Sequence, residues 1–451
     1  MALCMRQSRN ILSHVVKSSK IGMLGVTNLF TSPYRAPGAH DSRNPDVYSR
    51  EKATLLVPRR FESIKADRSL DLKFKADNHQ VLDFPGGKVA FTPEMRFTAE
   101  SPDGRIPCYR VLDDSVQRQG RISFYVTTIG EEAINIASAA ALKMHDLIVP
   151  QYREPGILLW RGFTLQDFAN QCFSNKLDDC RGRQMPVHYG SKRHNYFTVA
   201  STIASQLPHA VGAAYSMKMD GKDACAVAYF GDGGSSEGDF HAALNFAAVL
   251  EAPVIFICRN NGWAISTPTS DQFRSINSVL VCGIRDGVVV RGPSYGVKSI
   301  RVDGNDALAM YSTVHAAREM AIREHRPILI EALTYRAGHH STSDDSTKYR
   351  PVDEMELWRL SRDPVTRFRK WISSNGWWSD EAEEDLRSNV RKQLLDAIQV
   401  AEKVEKPPVV DLFTDVYDVL PSNLSEQEKW LTETIRRHPH DYPSDVPLIK
   451  L

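Results

Sequence analysis

The strongest constraint in this chain is a pair of apolar runs, each closed by a polar motif. Residues 224–230 (ACAVAYF) run into Gly231-Asp232-Gly233, and residues 253–258 (PVIFIC) run into Arg259-Asn260-Asn261. Between them, Phe240, Ala243, Leu244, Phe246, Ala247 and Leu250 recur at helical spacing. Strand, turn, helix and strand form a βαβ unit, and its crossover brings both strand ends to one sheet edge. Asp232 and Asn261 are therefore expected to face one crevice. They offer hard oxygen ligands suited to Mg²⁺, which takes few protein groups and keeps substrate phosphates in its shell. Gly231 and Gly233 let the backbone come close to a diphosphate. Standing alone, Asp-Gly marks only a turn with a solvated carboxylate. The second motif at βαβ distance, with Arg259 beside it, carries the functional reading.

The rest of the chain extends this pattern. Strands are expected at 147–149, 299–302 and 328–333, and helices at 130–144, 240–250 and 307–324. The alternation predicts an α/β fold, a mostly parallel sheet with helices on both faces. Past Pro351 the strands stop, and charge-paired helical stretches follow, one at 381–402. The organisation reads as a leader at 1–40, an N-terminal arm at 41–120, an α/β domain at 121–350 and a helical C-terminal region at 351–451. The arm is polar and irregular, with Pro85-Gly86-Gly87 and a strand-like 107–111.

Composition narrows the function classes. The net charge of +1 points to no polyanion, so a nucleic-acid partner is not expected. No apolar run approaches the roughly 18 residues that cross a bilayer, so a membrane is not expected either. The seven cysteines show no CxxC and no metal spacing, which argues for a reducing compartment. Cys225 and Cys258 fall in the buried strands, as small apolar residues do. The leader holds Arg6, Arg9, Lys17, Lys20 and Arg35 and no acid before Asp41, the composition of a mitochondrial transit peptide or, more blandly, of a basic tail.

Further motifs bear on chemistry. Gln151-Tyr152-Arg153 follows the first strand, where an arginine can grip a phosphate bidentately or simply lie on the surface. Gly338-His339-His340-Ser341-Thr342-Ser343-Asp344-Asp345-Ser346 follows the strand at 328–333. One histidine there can donate a proton near neutral pH. A phosphate added to its hydroxyls would meet two acids and should disorder the loop. Without the other motifs it would be a solvated turn. His188 reads equally as a structural histidine or part of a gating loop. Ser201, Ile203, Ser205 and Gln206 precede a helix, and small hydroxyls there suit capping or ion binding.

GDG followed by NN at the next strand end resembles the thiamine diphosphate signature. Together with GRQMPVHYG (182–190), QYREPG (151–156), GDGGSSEGD (231–239), RNNGWAISTPTS (259–270) and GHHSTSDDS (338–346), the chain resembles alpha subunits of branched-chain 2-oxoacid dehydrogenase from about Pro107 onward. The alpha subunits of pyruvate and acetoin dehydrogenase are the alternative, and the loops at 182–190 and 338–346 favour the branched-chain family. The resemblance implies decarboxylation of a branched 2-oxo acid on thiamine diphosphate and passage of the acyl unit to a lipoyl group on a partner acyltransferase.

By residue, it implies Mg²⁺ on Asp232, Asn261 and the Trp263 carbonyl, and the diphosphate on Gln151, Tyr152, Arg153, Arg259 and the Gly231–Gly233 backbone. Ser201 and Ile203 match cofactor contacts. His340 matches a diphosphate contact that aids protonation during acyl transfer. Ser205 and Gln206 match a potassium site in which a third hydroxyl is Ala200 here. Ser341 matches a phosphorylated position, read by a kinase and phosphatase, whereas a second such position is Pro351. The glutamate that activates the aminopyrimidine belongs to a separate beta subunit, so an alpha₂beta₂ assembly in the mitochondrial matrix is implied.

Two departures stand out. A stretch containing a long helix is missing near Asp114, and a segment from Ile276 to Arg285 (INSVLVCGIR) is inserted. Losing a core helix would expose apolar surface worth several kcal/mol at about 25 cal/mol per Å². A non-catalytic variant that only binds partners is the corresponding alternative.

Overall fold

The computed structural model describes residues 80–84, 87–91, 116–117, 119–273, 287–414, 416–443 and 446–447. The leader, the strand-like 107–111, the junction at Asp114 and the insert at 276–285 lie outside the described residues.

A five-stranded, all-parallel sheet organises the chain, in the order β3-β4-β5-β9-β8. Its strands are β3 (Leu147–Val149), β4 (Ala226–Gly231), β5 (Val254–Asn260), β8 (Lys298–Asp303) and β9 (Ile328–Leu333). Every residue of β5 is buried, which is why its sequence reads as a continuous apolar run and not an alternation. The pleat sends alternate side chains into two cores. Val227, Tyr229, Ile255 and Ile257 enter one, and Ala226, Ala228, Phe230, Val254 and Phe256 enter the other.

Helices cover both faces. On the first lie α1 (Glu132–Ala141), α2 (Pro155–Trp160) and α3 (Leu165–Cys172), through residues such as Ile134, Leu158 and Phe168. The second face carries α4 (Gln206–Met219) and α5 (Gly238–Leu250), through Leu207, Val211, Phe240 and Leu244. The single turn α6 (Thr269–Gln272) follows, and α7 (Ala307–Glu324) returns to the first face through Met310 and Val314. Among the described residues beyond Pro351 the elements are helical: α8 (Val352–Ser361), α9 (Pro364–Ser374), α10 (Asp380–Lys403), α11 (Asp411–Thr414) and α12 (Ser422–Arg437). Val390, Leu394 and Ile398 of α10 join the first core. No described helix is long and apolar enough to cross a membrane.

Three expectations need amendment. The arm is not wholly irregular, because β1 (Gln80–Phe84) pairs antiparallel with β2 (Gly87–Phe91); Pro-Gly between two alternating runs is a hairpin signal. The first helix stops at Ala141 instead of reaching Met144, since Leu142 is extended and Asp146 takes the Lys143 amide on its carboxylate. Ser205 stands at the start of α4 without capping it. Its hydroxyl donates to the Thr202 carbonyl at 2.8 Å.

Glu132 opens α1 with its carboxylate buried, accepting the Gly130 N–H at 2.8 Å. Burial, reinforced by the charge of Asp363, outweighs the backbone hydrogen bonds and pushes its carboxyl up to about 8. The folded chain then holds more protons than the unfolded one between about 4.5 and about 8. The stability tied to this group is full below that window and is lost as pH rises through it. Glu132→Gln keeps the acceptor for Gly130. It should raise stability at pH about 8 by a few kcal/mol, on the order of 1.4 per unit of displaced pKa, and barely change it at pH about 5. Urea unfolding at both pH values tests this, and an equal gain at both would overturn it.

Candidate functional site

The site is built at the carboxyl edge of the sheet, where β4 and β5 run side by side with Gly231 opposite Arg259. This register puts the Asp232 turn against the Asn260-Asn261 pair, close enough for the Asn261 backbone N–H to favour the charged form of the Asp232 carboxyl. Both residues are buried, Asp232 at 1% and Asn261 at 5% exposure. Burial above all, with the charge of Glu131 adding, raises the Asp232 carboxyl to about 6 despite its hydrogen bonds.

Asn261 is locked from both ends of its amide. Its Nδ2 donates to Glu131 Oε1 at 2.6 Å, and its Oδ1 accepts the Trp263 N–H at 3.1 Å. Gly262 between them takes φ +84°, a left-handed conformation that a side chain would resist. Asn260 points the other way, onto the buried Glu331 carboxylate at 2.7 Å. Trp263–Ala264 and Thr267–Pro268 then pair as the small hairpin β6–β7, which lies over the Asp232 turn. A Cβ on Gly233 would come within 2.7 Å of Ala264 Cβ, so glycine is required there.

Arg259 is committed inside the protein. Its Nη1 pairs with Glu131 Oε2 at 2.8 Å, its Nε pairs with Glu154, and its Nη2 donates to Gln151 Oε1 at 3.2 Å. Gln151 Oε1 also accepts the Gly231 N–H at 2.8 Å. The burial that would raise the Glu131 carboxyl is outweighed by Arg259 and then Arg153, which hold it below the usual carboxylate range. Glu154 goes the other way, because its burial outweighs the attraction of Arg259.

Arg153 donates to the Thr127 carbonyl and, at 2.6 Å, to the His340 carbonyl. Tyr152 reaches the same histidine, with its hydroxyl 3.2 Å from His340 Nε2. Burial first, then the charges of Arg153 and Arg336, pulls His340 down to about 3, so its ring is neutral near pH 7. The loop that carries it is fixed by arginines. Arg336 Nη2 donates to the Ile265 carbonyl at 2.9 Å and to Tyr349 Oη at 3.1 Å, and Tyr349 donates to Asp344 Oδ2 at 2.6 Å. Arg350 donates to the carbonyls of Arg336 and Gly338. Arg336 also lies 3.4 Å from the Trp263 carbonyl, a long contact. Ser341 is half-buried beside this network, and its hydroxyl accepts the Ser343 N–H at 3.3 Å.

The remaining expected residues lie around the same edge. Ser201 is exposed, and its hydroxyl is 2.7 Å from Nε2 of the buried His188. Ile203 packs next to Gly234. Gln206 is buried and donates to the Tyr229 carbonyl at 2.8 Å, beside Ser205 at the start of α4. Sequence reasoning missed Glu131, Glu154, Arg336 and Gln272, which hold the named residues in place. For Glu131 the available signal was an acid just after Gly130 at a helix start, which reads equally well as a solvated first-turn residue.

Comparison with known proteins places the sequence in a family. The model of the dehydrogenase E1 component matches residues 107–410. The mitochondrial 2-oxoisovalerate dehydrogenase subunit alpha 2 of Arabidopsis thaliana is 66% identical over 409 residues, covering 83% of this chain and 84% of that protein. Its Dictyostelium discoideum counterpart is 51% identical over 447 residues, 97% of this chain and 96% of that one. The Homo sapiens subunit alpha is 43% identical over 398 residues, 80% of this chain and 87% of that protein. The chain belongs to the dehydrogenase E1 component family, among its mitochondrial 2-oxoisovalerate dehydrogenase alpha subunits.

Proposed function

We propose that this alpha subunit supplies the metal- and diphosphate-binding half of a thiamine diphosphate site and acts, with a beta subunit, on branched 2-oxo acids. The observation that carries the proposal is the convergence of Asp232 and Asn261, both buried, on one strand edge beside three buried arginines. The donor set fits the cofactor. Asp232, Asn261 and the Trp263 carbonyl are the hard oxygens that Mg²⁺ takes. Arg336 Nε is buried without an acceptor among the described residues, which suits an anion nearby.

When bound, thiamine diphosphate supplies the electron sink that lets carbon dioxide leave a 2-oxo acid. The chain's own residues bind and orient. Arg153 and Tyr152 present a cation and a hydroxyl to the diphosphate, and the Gly231–Gly233 backbone allows close approach. Glu131 anchors Asn261 and Arg259 so that neither drifts. Held at about 3, His340 is neutral and a weak base near pH 7, with its Nε2 against the Tyr152 hydroxyl. A negative diphosphate beside it would oppose Arg153 and Arg336 and bring its pKa back toward neutrality.

The acyl group would pass to a lipoyl-bearing acyltransferase. The assembled alpha–beta tetramer with thiamine diphosphate and Mg²⁺ should decarboxylate 3-methyl-2-oxobutanoate in preference to pyruvate. Inactivity of a well-formed tetramer would overturn the reading, and a preference for pyruvate or acetoin would move the chain to the neighbouring substrate class. Asp232→Asn, which keeps the shape and removes the charge, should lower the rate about 100-fold and abolish the rise in melting temperature that Mg²⁺ and cofactor give the parent. An undiminished thermal response would exclude Asp232 as a ligand.

Potassium at Ser205 and Gln206 is part of the same proposal, since both side chains keep an oxygen free to accept. Exchanging K⁺ for Na⁺ should lower the melting temperature of the tetramer, and no change would remove the ion from the account.

Ser341 is proposed as the site where a kinase and a phosphatase regulate the enzyme. A phosphate there adds about two negative charges beside Asp344 and Asp345. The Tyr349–Asp344 bond that secures the loop would be opposed by repulsion. Ser341→Glu should cut activity and expose residues 338–346 to protease, and a fully active, protease-resistant variant would overturn the assignment.

A further inference from the structure

Gln272 ends the single turn α6, just past the hairpin that covers the Asp232 turn. Its Nε2 donates to Asp232 Oδ2 at 2.7 Å and to the Thr267 carbonyl at 3.0 Å. Both partners can only accept, which fixes the amide orientation on chemical grounds: nitrogen toward them, oxygen away. The oxygen, Oε1, is buried and finds no donor among the described residues. It lies one amide's width beyond the nitrogen that holds the carboxylate. Buried amide oxygens are rarely left unpaired, so this one is suited to a donor that arrives with a ligand.

The surrounding contacts hold this arrangement. Phe273, the next residue, lies under the Arg291 guanidinium, 4.6 Å from its ring centroid. Arg291 Nη1 donates to the Ser235 carbonyl at 2.5 Å, and the Ser235 hydroxyl donates to the Asp232 carbonyl at 2.7 Å. Side chain and backbone of Asp232 are thus both tied to one brace, made of Gln272 on one side and Arg291 through Ser235 on the other.

An amide is the neutral choice at this position. A lysine would neutralise Asp232 and take the place of a cation, and an acid would repel the carboxylate. The amide orients the carboxylate and leaves its charge available. Mg²⁺ held by one or two protein groups retains several waters, and each of them is an O–H donor.

We infer that Gln272 is a positioning residue for the metal: its Nε2 fixes the Asp232 carboxylate and its Oε1 accepts from a metal-bound water. The inference rests on the reading of Asp232 as the Mg²⁺ ligand. Outer hydrogen bonds of this kind typically change metal affinity by about 10–100-fold.

The test uses the assembled alpha–beta tetramer with thiamine diphosphate, stripped of metal by chelation and titrated with Mn²⁺, free Mn²⁺ being read by its paramagnetic resonance signal. Gln272→Met, close in shape but without donor or acceptor, should weaken Mn²⁺ binding about tenfold. Its Mg²⁺ requirement in the decarboxylation assay should rise likewise, the deficit disappearing at saturating Mg²⁺ with the KM for the oxo acid unmoved. Gln272→Lys should weaken binding further while the metal-free melting temperature is kept. Parent-like Mn²⁺ affinity in Gln272→Met overturns the inference, as does a deficit that excess metal does not repair, which would mark a structural role. Absence of Mn²⁺ binding in the parent tetramer instead overturns the assignment of Asp232 as a ligand, and this inference with it.

Discussion

Everything at the carboxyl edge of the sheet hangs on the buried Glu131 carboxylate. It takes a charged hydrogen bond from Arg259 on β5 and an amide hydrogen bond from Asn261 at the end of the same strand. Arg259 reaches on to Glu154 at the start of α2 and to Gln151 behind β3. Three separate chain segments are thereby locked into one charged cluster from which water is excluded. Breaking such a cluster by removing one partner leaves an uncompensated buried charge, worth about 3–5 kcal/mol. The cluster is therefore strong evidence of a fixed geometry and weak evidence of net stability. What it fixes is the direction of Asn261, which stands beside the Asp232 carboxylate.

The parts of the fold that local pattern dictates were legible in the sequence. A strand buried on both faces must be apolar throughout, so residues 254–258 were readable, and β5 merely runs two residues further to bring Arg259 and Asn260 into the ladder. The helix expected at 307–324 has those bounds because its start is marked by Asp306, which caps Leu308 and Ala309, and its end by left-handed His325. The hairpin at Gln80–Phe91 escaped notice because its surroundings are polar and its runs are short. The first helix was drawn too long because Ala-rich sequence keeps its propensity beyond the point where Asp146 claims the backbone.

The residues that meet at the strand edge were legible in the sequence, and the side chains that support them were not. Asp232 and Asn261 announce themselves through fixed motifs at fixed distance. Glu131 and Arg259 are separated by 128 residues, and Asp232 and Gln272 by 40, so no local periodicity connects either pair. Arg336 resembles any arginine after a strand until its partners are seen: the carbonyl of Ile265 and the hydroxyl of Tyr349. Ile265 is a β-branched residue at φ +55°, a conformation that persists only when its surroundings impose it. Arg336 is part of that imposition, and it couples the hairpin over the Asp232 turn to the loop that carries His340 and Ser341.

Burial and charge together decide which groups at this edge are ionised. Arg153, Arg259 and Arg336 are all buried within it. Of the acids that face them, Glu131 and Asp344 are held below the usual carboxylate range, while burial raises Glu154 and lifts Asp232 to about 6. The desolvation that raises those two carboxyls is the same force that depresses His340, so a neutral imidazole sits among the arginines. On the proposed reading, a diphosphate would face Arg153 and Arg336, and Mg²⁺ would offset its charge beside Asp232. On that reading neither would replace the other: the anion alone would confront a carboxylate, and the metal alone would confront Arg153 and Arg336. A metal-bound diphosphate, the proposed ligand, would meet both constraints, while Arg259 stays committed to the scaffold with Glu131 and Glu154.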